Sequence, residues 1–209
     1  MQYIYLHGFA STPNSTKARY LRDRFAEIHI DLKIPDLNFG DFSQLTITRQ
    51  ANQVWREFPS NDEPVTLIGS SLGGLTAAYL GNVNLQVQQL VLLAPAFEFL
   101  SHWLPLLGEE QVRRWQEEKF IMVYHYGEKR SLPLNVNFLV DASHYQAENW
   151  RRPIPTLILH GQHDETIPIQ ASRDFANNRP WVELIEFDSD HALSNVMADI
   201  WLAIQRKFI

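Results

Sequence analysis

Cysteine is absent from the chain. Disulfides, thiolate chemistry and cysteine-held zinc are therefore excluded, and the composition fits a reducing compartment. Long apolar runs are missing too. None approaches the ~20 residues that a bilayer-spanning helix needs. Met1 leads directly into "QYIYLHG", without a basic region followed by an apolar stretch and a small-residue cleavage site. These absences predict a cytoplasmic protein with no stable membrane insertion. Long basic runs are lacking as well. The pairs Arg113-Arg114, Lys129-Arg130 and Arg151-Arg152 are isolated in a chain of net charge −6. They read as solvated surface, and no nucleic-acid partner is expected. His102, His125 and His144 match no metal-ligand spacing, so no metal is expected either.

What is present is ordinary for a globular protein: 45% hydrophobic and 20% charged residues over 209 positions, enough for a sizeable core. Short apolar runs alternate with amphipathic ones. "YIYLHG" reads as a buried strand, and "STKARYLRDRFAEI" as a helix with Asn14 or Ser15 at its start. "HIDLKIPDL" alternates as a strand up to Pro35, and "FSQLTITRQANQVWREF" reads as one helix. "PVTLIG" and "LQVQQLVLLAPA" are strands around the helix "LGGLTAAYLGN". The rhythm resumes with "IPTLILHG", "IPIQASRDFANN", "WVELIEF" and a closing helix. About six mostly parallel strands with helices on both faces follow, an α/β architecture in one domain over residues 1–209.

Residues 97–152 break the rhythm. They are aromatic and irregular, with short helices near Trp103, Glu109–Lys119 and Val136–Glu148 and a hairpin in "FIMVYHYGEKRSLPL". This is too long for a simple connection. It reads as a cap or lid, with Trp103 and Phe138 as candidate walls of a substrate pocket and the other aromatics partly cap core.

"LIGSSLGGLTAAYL" places G-x-S-x-G, Gly69 to Gly73, between a strand and a helix. By composition the pattern is common; in that setting it is a nucleophile elbow, with Ser71 exposed where helix N–H groups favour negative charge. Gly69 and Gly73 would lack the Cβ that clashes in so sharp a turn, and Gly74 would let the helix pack close. A serine needs a base, and the base an orienting acid. "LILHGQHDETIP" puts Asp164 just past one strand, and "EFDSDHALS" puts His191 past the last. The order Ser, Asp, His suits this elbow, and the strand C-terminal edge is where open α/β sheets place their sites. Leu72 N–H and Phe9 N–H, the latter in "LHGFAST", are the candidate oxyanion donors, with Ala10 behind Phe9. Glu165 competes weakly with Asp164. Asp188 and Asp190 sit too near His191 in sequence to orient its ring, and Asp141 reads as surface. His7 and His160, each before a glycine at a strand end, read as structural histidines, and His163 as a loop contact.

Together "YLHGF", "GSSLGG", "LILHGQHDETIP" and "DSDHAL" resemble the α/β-hydrolase superfamily over nearly the whole chain, and within it the small YqiA-like esterase group. That resemblance implies an α/β-hydrolase fold and a serine hydrolase acting on a small-molecule carboxylic ester or acyl thioester through an acyl-enzyme, without a cofactor. The same residues would serve an acyltransferase or perhydrolase. A hydrolase-fold ligand receptor with little turnover is the alternative from another class.

Overall fold

The computed structural model describes residues 1–177 and 179–209. In chain order the elements are β1 (Gln2–Leu6), α1 (Thr16–Glu27), β2 (Leu32–Lys33), α2 (Ile47–Arg56), β3 (Val65–Ser70), α3 (Leu72–Val83) and β4 (Val87–Leu93). They continue as α4 (Phe99–Leu107), α5 (Glu109–Glu118), β5 (Phe120–His125), β6 (Arg130–Asn135), α6 (Asn137–Ala142), β7 (Thr156–Gly161), α7 (Ile169–Ala176), β8 (Val182–Phe187) and α8 (Met197–Phe208).

Six strands form one sheet in the order β2-β1-β3-β4-β7-β8, and every pairing in it is parallel. This is the α/β-hydrolase fold. Strands β3 and β7 are buried at every position, which explains their largely apolar sequences. Side chains alternate between two cores. Tyr3, Tyr5, Ile68, Val91 and Leu157 meet α1 and α8 on one face. Ile4, Leu6, Leu67, Leu92 and Ile158 meet α2, α3 and α7 on the other. The apolar stripe of α1 (Ala18, Leu21, Phe25) and that of α8 (Ile200, Trp201, Ile204) pack together there, Phe25 lying edge-on to Trp201.

Three elements are shorter than the sequence predicts. β2 holds only Leu32 and Lys33, because Ile28 caps α1 and His29 turns the chain at φ 60°. The single helix expected over 42–58 is a 3-10 turn, Phe42–Gln44, followed by α2. Thr46 starts the latter by accepting Arg49 N–H at 3.1 Å. The helix expected near 136–148 is α6 plus a 3-10 turn at Ala147–Asn149.

The insert between β4 and β7 is tied down at several points. β5 and β6 form the predicted hairpin. It packs beside the β1 loop, where Tyr126 N–H donates to the Ala10 carbonyl at 2.9 Å and His125 lies edge-on to Phe42. Trp115 of α5 is buried beneath the hairpin and donates Nε1–H to the Leu134 carbonyl at 2.9 Å. Asp141 is no idle surface acid. It accepts Thr48 N–H at 3.0 Å and a short bond from the Thr48 hydroxyl, fastening α6 to the first turn of α2. At the exit of the insert, the Arg179 guanidinium reaches the carbonyls of Ala147, Glu148 and Trp150.

Strand register brings the site loops to one edge. Leu6 pairs with Gly69, Ser70 with Leu93, and Gly161 with Phe187, so the loops that follow β1, β3, β4, β7 and β8 emerge together.

Candidate active site

Ser71 stands at the junction of β3 and α3 with φ 53° and ψ −119°, a conformation L-residues avoid. The surroundings over-determine it. Ser71 N–H donates to the Leu93 carbonyl at 2.9 Å, and its own carbonyl accepts from Gly74, Leu75 and Ala96 at 2.8, 3.1 and 3.0 Å. Its hydroxyl makes no capping bond to the helix. The turn closes only without side chains at two neighbours. A Cβ on Gly69 would lie 2.3 Å from the Gly73 carbonyl oxygen, and one on Gly73 would lie 2.2 Å from that of Leu6.

The hydroxyl faces His191, whose Nε2 is 3.2 Å from Ser71 Oγ. His191 Nδ1 lies 2.7 Å from Asp164 Oδ2. The three side chains named from sequence thus form one hydrogen-bonded series, although the chain separates them widely. Asp164 is buried in the turn after β7, and its Oδ1 accepts Thr166 and Ile167 N–H at 2.9 and 2.8 Å. Burial alone would raise its pKa. Hydrogen bonds from His160 and His191 and the Ile167 N–H outweigh that and hold the carboxyl well below the usual range. The competitor Glu165 is exposed. Asp190 works within the His191 loop: its Oδ1 accepts Ala192 and Leu193 N–H at 2.9 and 3.2 Å. Asp188 pairs instead with His163 at 2.8 Å on the surface.

The β1 loop closes over the serine. A Cβ on Gly8 would come within 3.3 Å of Ser71 Cβ, so the loop that carries Phe9 passes close to the serine. Leu72 N–H belongs to the first residue of α3 and has no carbonyl one turn back. His7 braces this loop: its Nδ1 is 3.0 Å from the Gly8 carbonyl oxygen, and its Nε2 accepts Leu37 N–H at 3.0 Å.

The insert contributes aromatics beside these groups. Phe9 contacts Phe42, Phe99, Trp103 and Phe138, with ring centroids 5.4–6.1 Å apart. Phe138 is fully buried in that cluster, and Trp103 is partly buried against it. A cavity of about 790 Å³ opens alongside, between α4, the α6 region and α7. Its floor includes Leu75, one helical turn after Ser71, and Phe97, next to the Ala96 that bonds to the Ser71 carbonyl. Phe99, Leu100, Ala142, Tyr145 and Phe175 line it together with charged Glu98, Glu148, Arg151, Asp174 and Arg179; Trp103, Phe138, Ser71, Asp164 and His191 do not. Burial pushes the Tyr145 phenol up to about 12.

Comparison with known proteins bears on this arrangement. Residues 2–207 match the model of the Uncharacterised protein family UPF0227. The chain belongs to that family. No curated protein matches it by sequence. Among solved structures, a candidate hydrolase from Agrobacterium vitis S4 superposes with a TM-score of 0.86 at 24% identity, over 100% of this chain and 88% of that one. Mouse alpha/beta hydrolase domain-containing protein 10 gives 0.81 at 22% identity, over 98% and 88%. Est1E from Butyrivibrio proteoclasticus with ferulic acid bound gives 0.79 at 18% identity, over 99% and 88%. These likenesses place the UPF0227 chain in the α/β-hydrolase fold.

Two polar groups at the site escape a sequence reading. His160, read as a loop-bonded structural histidine, lies with Nε2 3.0 Å from Asp164 Oδ2. Its spacing to Asp164 was visible, but a strand and a turn give no reason to expect the two to touch. Lys17, in the first turn of α1, donates to the His191 carbonyl at 3.3 Å. Burial pushes its ammonium down to about 8, against the pull of Asp164 and Asp190. Nothing local marks that lysine, since its partners are far along the chain.

Proposed function

We propose that the protein hydrolyses carboxylic esters or acyl thioesters through an acyl-enzyme on Ser71. One observation carries this reading: Ser71 Oγ, held in a strained elbow, is 3.2 Å from His191 Nε2, and His191 Nδ1 is 2.7 Å from the buried Asp164 carboxylate. His191 takes the hydroxyl proton as Ser71 attacks the substrate carbonyl. Asp164 keeps the remaining ring proton on Nδ1 and stabilises the imidazolium. Phe9 and Leu72 N–H groups bind the oxyanion. The protonated His191 then gives its proton to the leaving alcohol or thiol. Water, deprotonated by the same ring, attacks the acyl-enzyme, and His191 returns that proton to Ser71 Oγ as the acid leaves.

The insert over 97–152 acts as a cap, and the groove beside Leu75 and Phe97 receives an apolar or aromatic part of the substrate. Support comes from the aromatic walls contributed by α4 and the α6 region, and from Leu75 in the lining, whose N–H donates to the Ser71 carbonyl. Est1E, of similar fold, binds ferulic acid. The test is labelling by a fluorophosphonate, followed by an ester and acyl-CoA chain-length panel. Labelling that maps to Ser71, with turnover of an ester or thioester, is expected. Labelling elsewhere, or tight ligand binding with no turnover, would overturn the reading.

A further inference from the structure

The Asp164 carboxylate serves two imidazoles. Oδ2 is 2.7 Å from His191 Nδ1 and 3.0 Å from His160 Nε2. The side chains of His160 and Asp164 are both sealed from solvent. The neighbours of His160 dictate its tautomer. Its Nε2 faces only acceptors, Asp164 Oδ2 and the Ile167 carbonyl oxygen, each at 3.0 Å, and so carries a hydrogen. Its Nδ1 is 2.7 Å from Ser172 Oγ and then accepts the hydroxyl hydrogen. Ser172 is itself fully buried on α7. A hydrogen-bonded line runs from the inner face of α7 through His160 and Asp164 to His191.

We propose that His160, held by Ser172, is a positioning residue: it fixes the Asp164 carboxylate toward His191 and weakens that carboxylate's pull on the imidazole proton. The inference rests on the Ser71–His191–Asp164 reading. A buried carboxylate keeps its charge only when donors surround it. Here the donor from His160 shares the very oxygen that His191 uses. It fixes the carboxylate plane and draws electron density from Oδ2. His191 then gives up its proton more readily and remains available as a base at lower pH. Other charges face the cluster: Lys17 from α1, Asp190 from the His191 loop, and Glu186 of β8, which is paired with Arg173 of α7. They are the same in every variant, so a shift between variants isolates His160.

The test compares His160→Gln, whose amide N–H reaches the Nε2 position, with His160→Asn, whose amide stops at Nδ1. For His160→Asn we expect kcat to fall about 10-fold with KM little changed, and the acid limb of the kcat/KM profile to move up by about one pH unit. His160→Gln should restore most of both. Equal profiles for wild type and His160→Asn, or a Gln variant no better than Asn, would overturn the proposal. Nitrogen-15 shifts of the wild-type ring, readable even if Asn fails to fold, should show the Nε2–H tautomer; an Nδ1–H tautomer would overturn it too. Wild-type protein left unlabelled by fluorophosphonate would instead count against the Ser71 reading.

Discussion

The sheet edge that carries Ser71 and the insert beside it are built to different standards. In α3, nine of twelve residues are buried. In α4, none of nine is, and Pro105 lies inside the helix. Backbone contacts lock the elbow on every side, and a methyl group at Gly69 or Gly73 would strike another main chain. The insert is fastened at separate points, among them Tyr126 to Ala10, Asp141 to Thr48, Arg152 to the Gly81 and Asn84 carbonyls, and Arg179 to its exit. It leaves Met122, Tyr124 and Tyr126 largely exposed on one side of its hairpin. The difference teaches how the labour divides. On the proposed reading, a proton-transfer series tolerates errors of only about 0.5 Å, and tightly packed elements hold it. On the same reading, a wall for an apolar group needs area and shape, and the exposed α4 supplies those.

The sharpest way to break that contrast is at its two extremes. Ser71→Ala should lose fluorophosphonate labelling and about 10⁴-fold or more in turnover while still folding. Single substitutions in the insert should leave labelling intact. Labelling of folded Ser71→Ala at the wild-type rate would sink the nucleophile assignment.

Next in size are the groups behind the serine. Asp164→Asn and His191→Ala should cost about 10³- to 10⁴-fold in acylation. Glu165→Gln should be close to neutral because Glu165 is exposed. Asp190→Asn should be mild, since an asparagine carbonyl can still accept the Ala192 and Leu193 N–H groups. Stopped-flow acylation rates decide this, and an Asp190→Asn loss as large as that of Asp164→Asn would overturn the choice of acid.

A pair of glycines compares the two regions by stability. Gly73→Ala drives a Cβ against the Leu6 carbonyl at 2.2 Å, backbone that cannot yield, and should cost about 4 kcal/mol or more. Gly127→Ala in the hairpin meets a Thr12 methyl at the same distance, a side-chain end that can rotate, and should cost about 1 kcal/mol or less. Urea unfolding of both variants measures the gap.

Within the insert itself, Leu100→Trp narrows the groove and should move the preferred acyl chain shorter. Each excluded methylene is worth about 0.8 kcal/mol, so long chains should lose one to two orders of magnitude in kcat/KM. Phe138→Ala, in contrast, empties a packed site and should cost about 3–5 kcal/mol of stability. An unchanged chain-length profile for Leu100→Trp would reduce the insert to a structural appendage.

The smallest effect belongs to Lys17, which ties α1 to the His191 loop. Its folded pKa of about 8 lies below the ordinary 10.5, so between those values the unfolded chain binds more protons. Stability should therefore rise with pH across that window, by on the order of 1 kcal/mol for a half-buried group. Lys17→Met should flatten the rise in denaturation curves measured from pH 7.5 to 10.5. The Asp164 contribution has the opposite edge: it is complete above the ordinary carboxylate value of 3.8 and fades as pH falls below it.

Much of this molecule was legible before its structure. Short, largely apolar runs announce strands buried on both faces, and G-x-S-x-G between such a strand and a helix announces the elbow. Asp164 and His191 follow from their places just past strand ends, because a parallel sheet sends all those ends to one edge. Local periodicity misled where capping chemistry intervened: Thr46 starts α2 late, and His29 converts half of an alternating run into the end of α1. The sequence by itself determined the sheet, the elbow and the order of the three polar side chains, for these depend on residue type and spacing along one element. Tertiary structure alone decided that His160 bonds Asp164, that Lys17 meets His191 and that Asp141 fastens the insert. It also decided that Phe97, Leu100 and Tyr145, and not Trp103 or Phe138, line the groove. Each of these depends on where separate elements come to rest against one another, and no pattern within any single element encodes that distance.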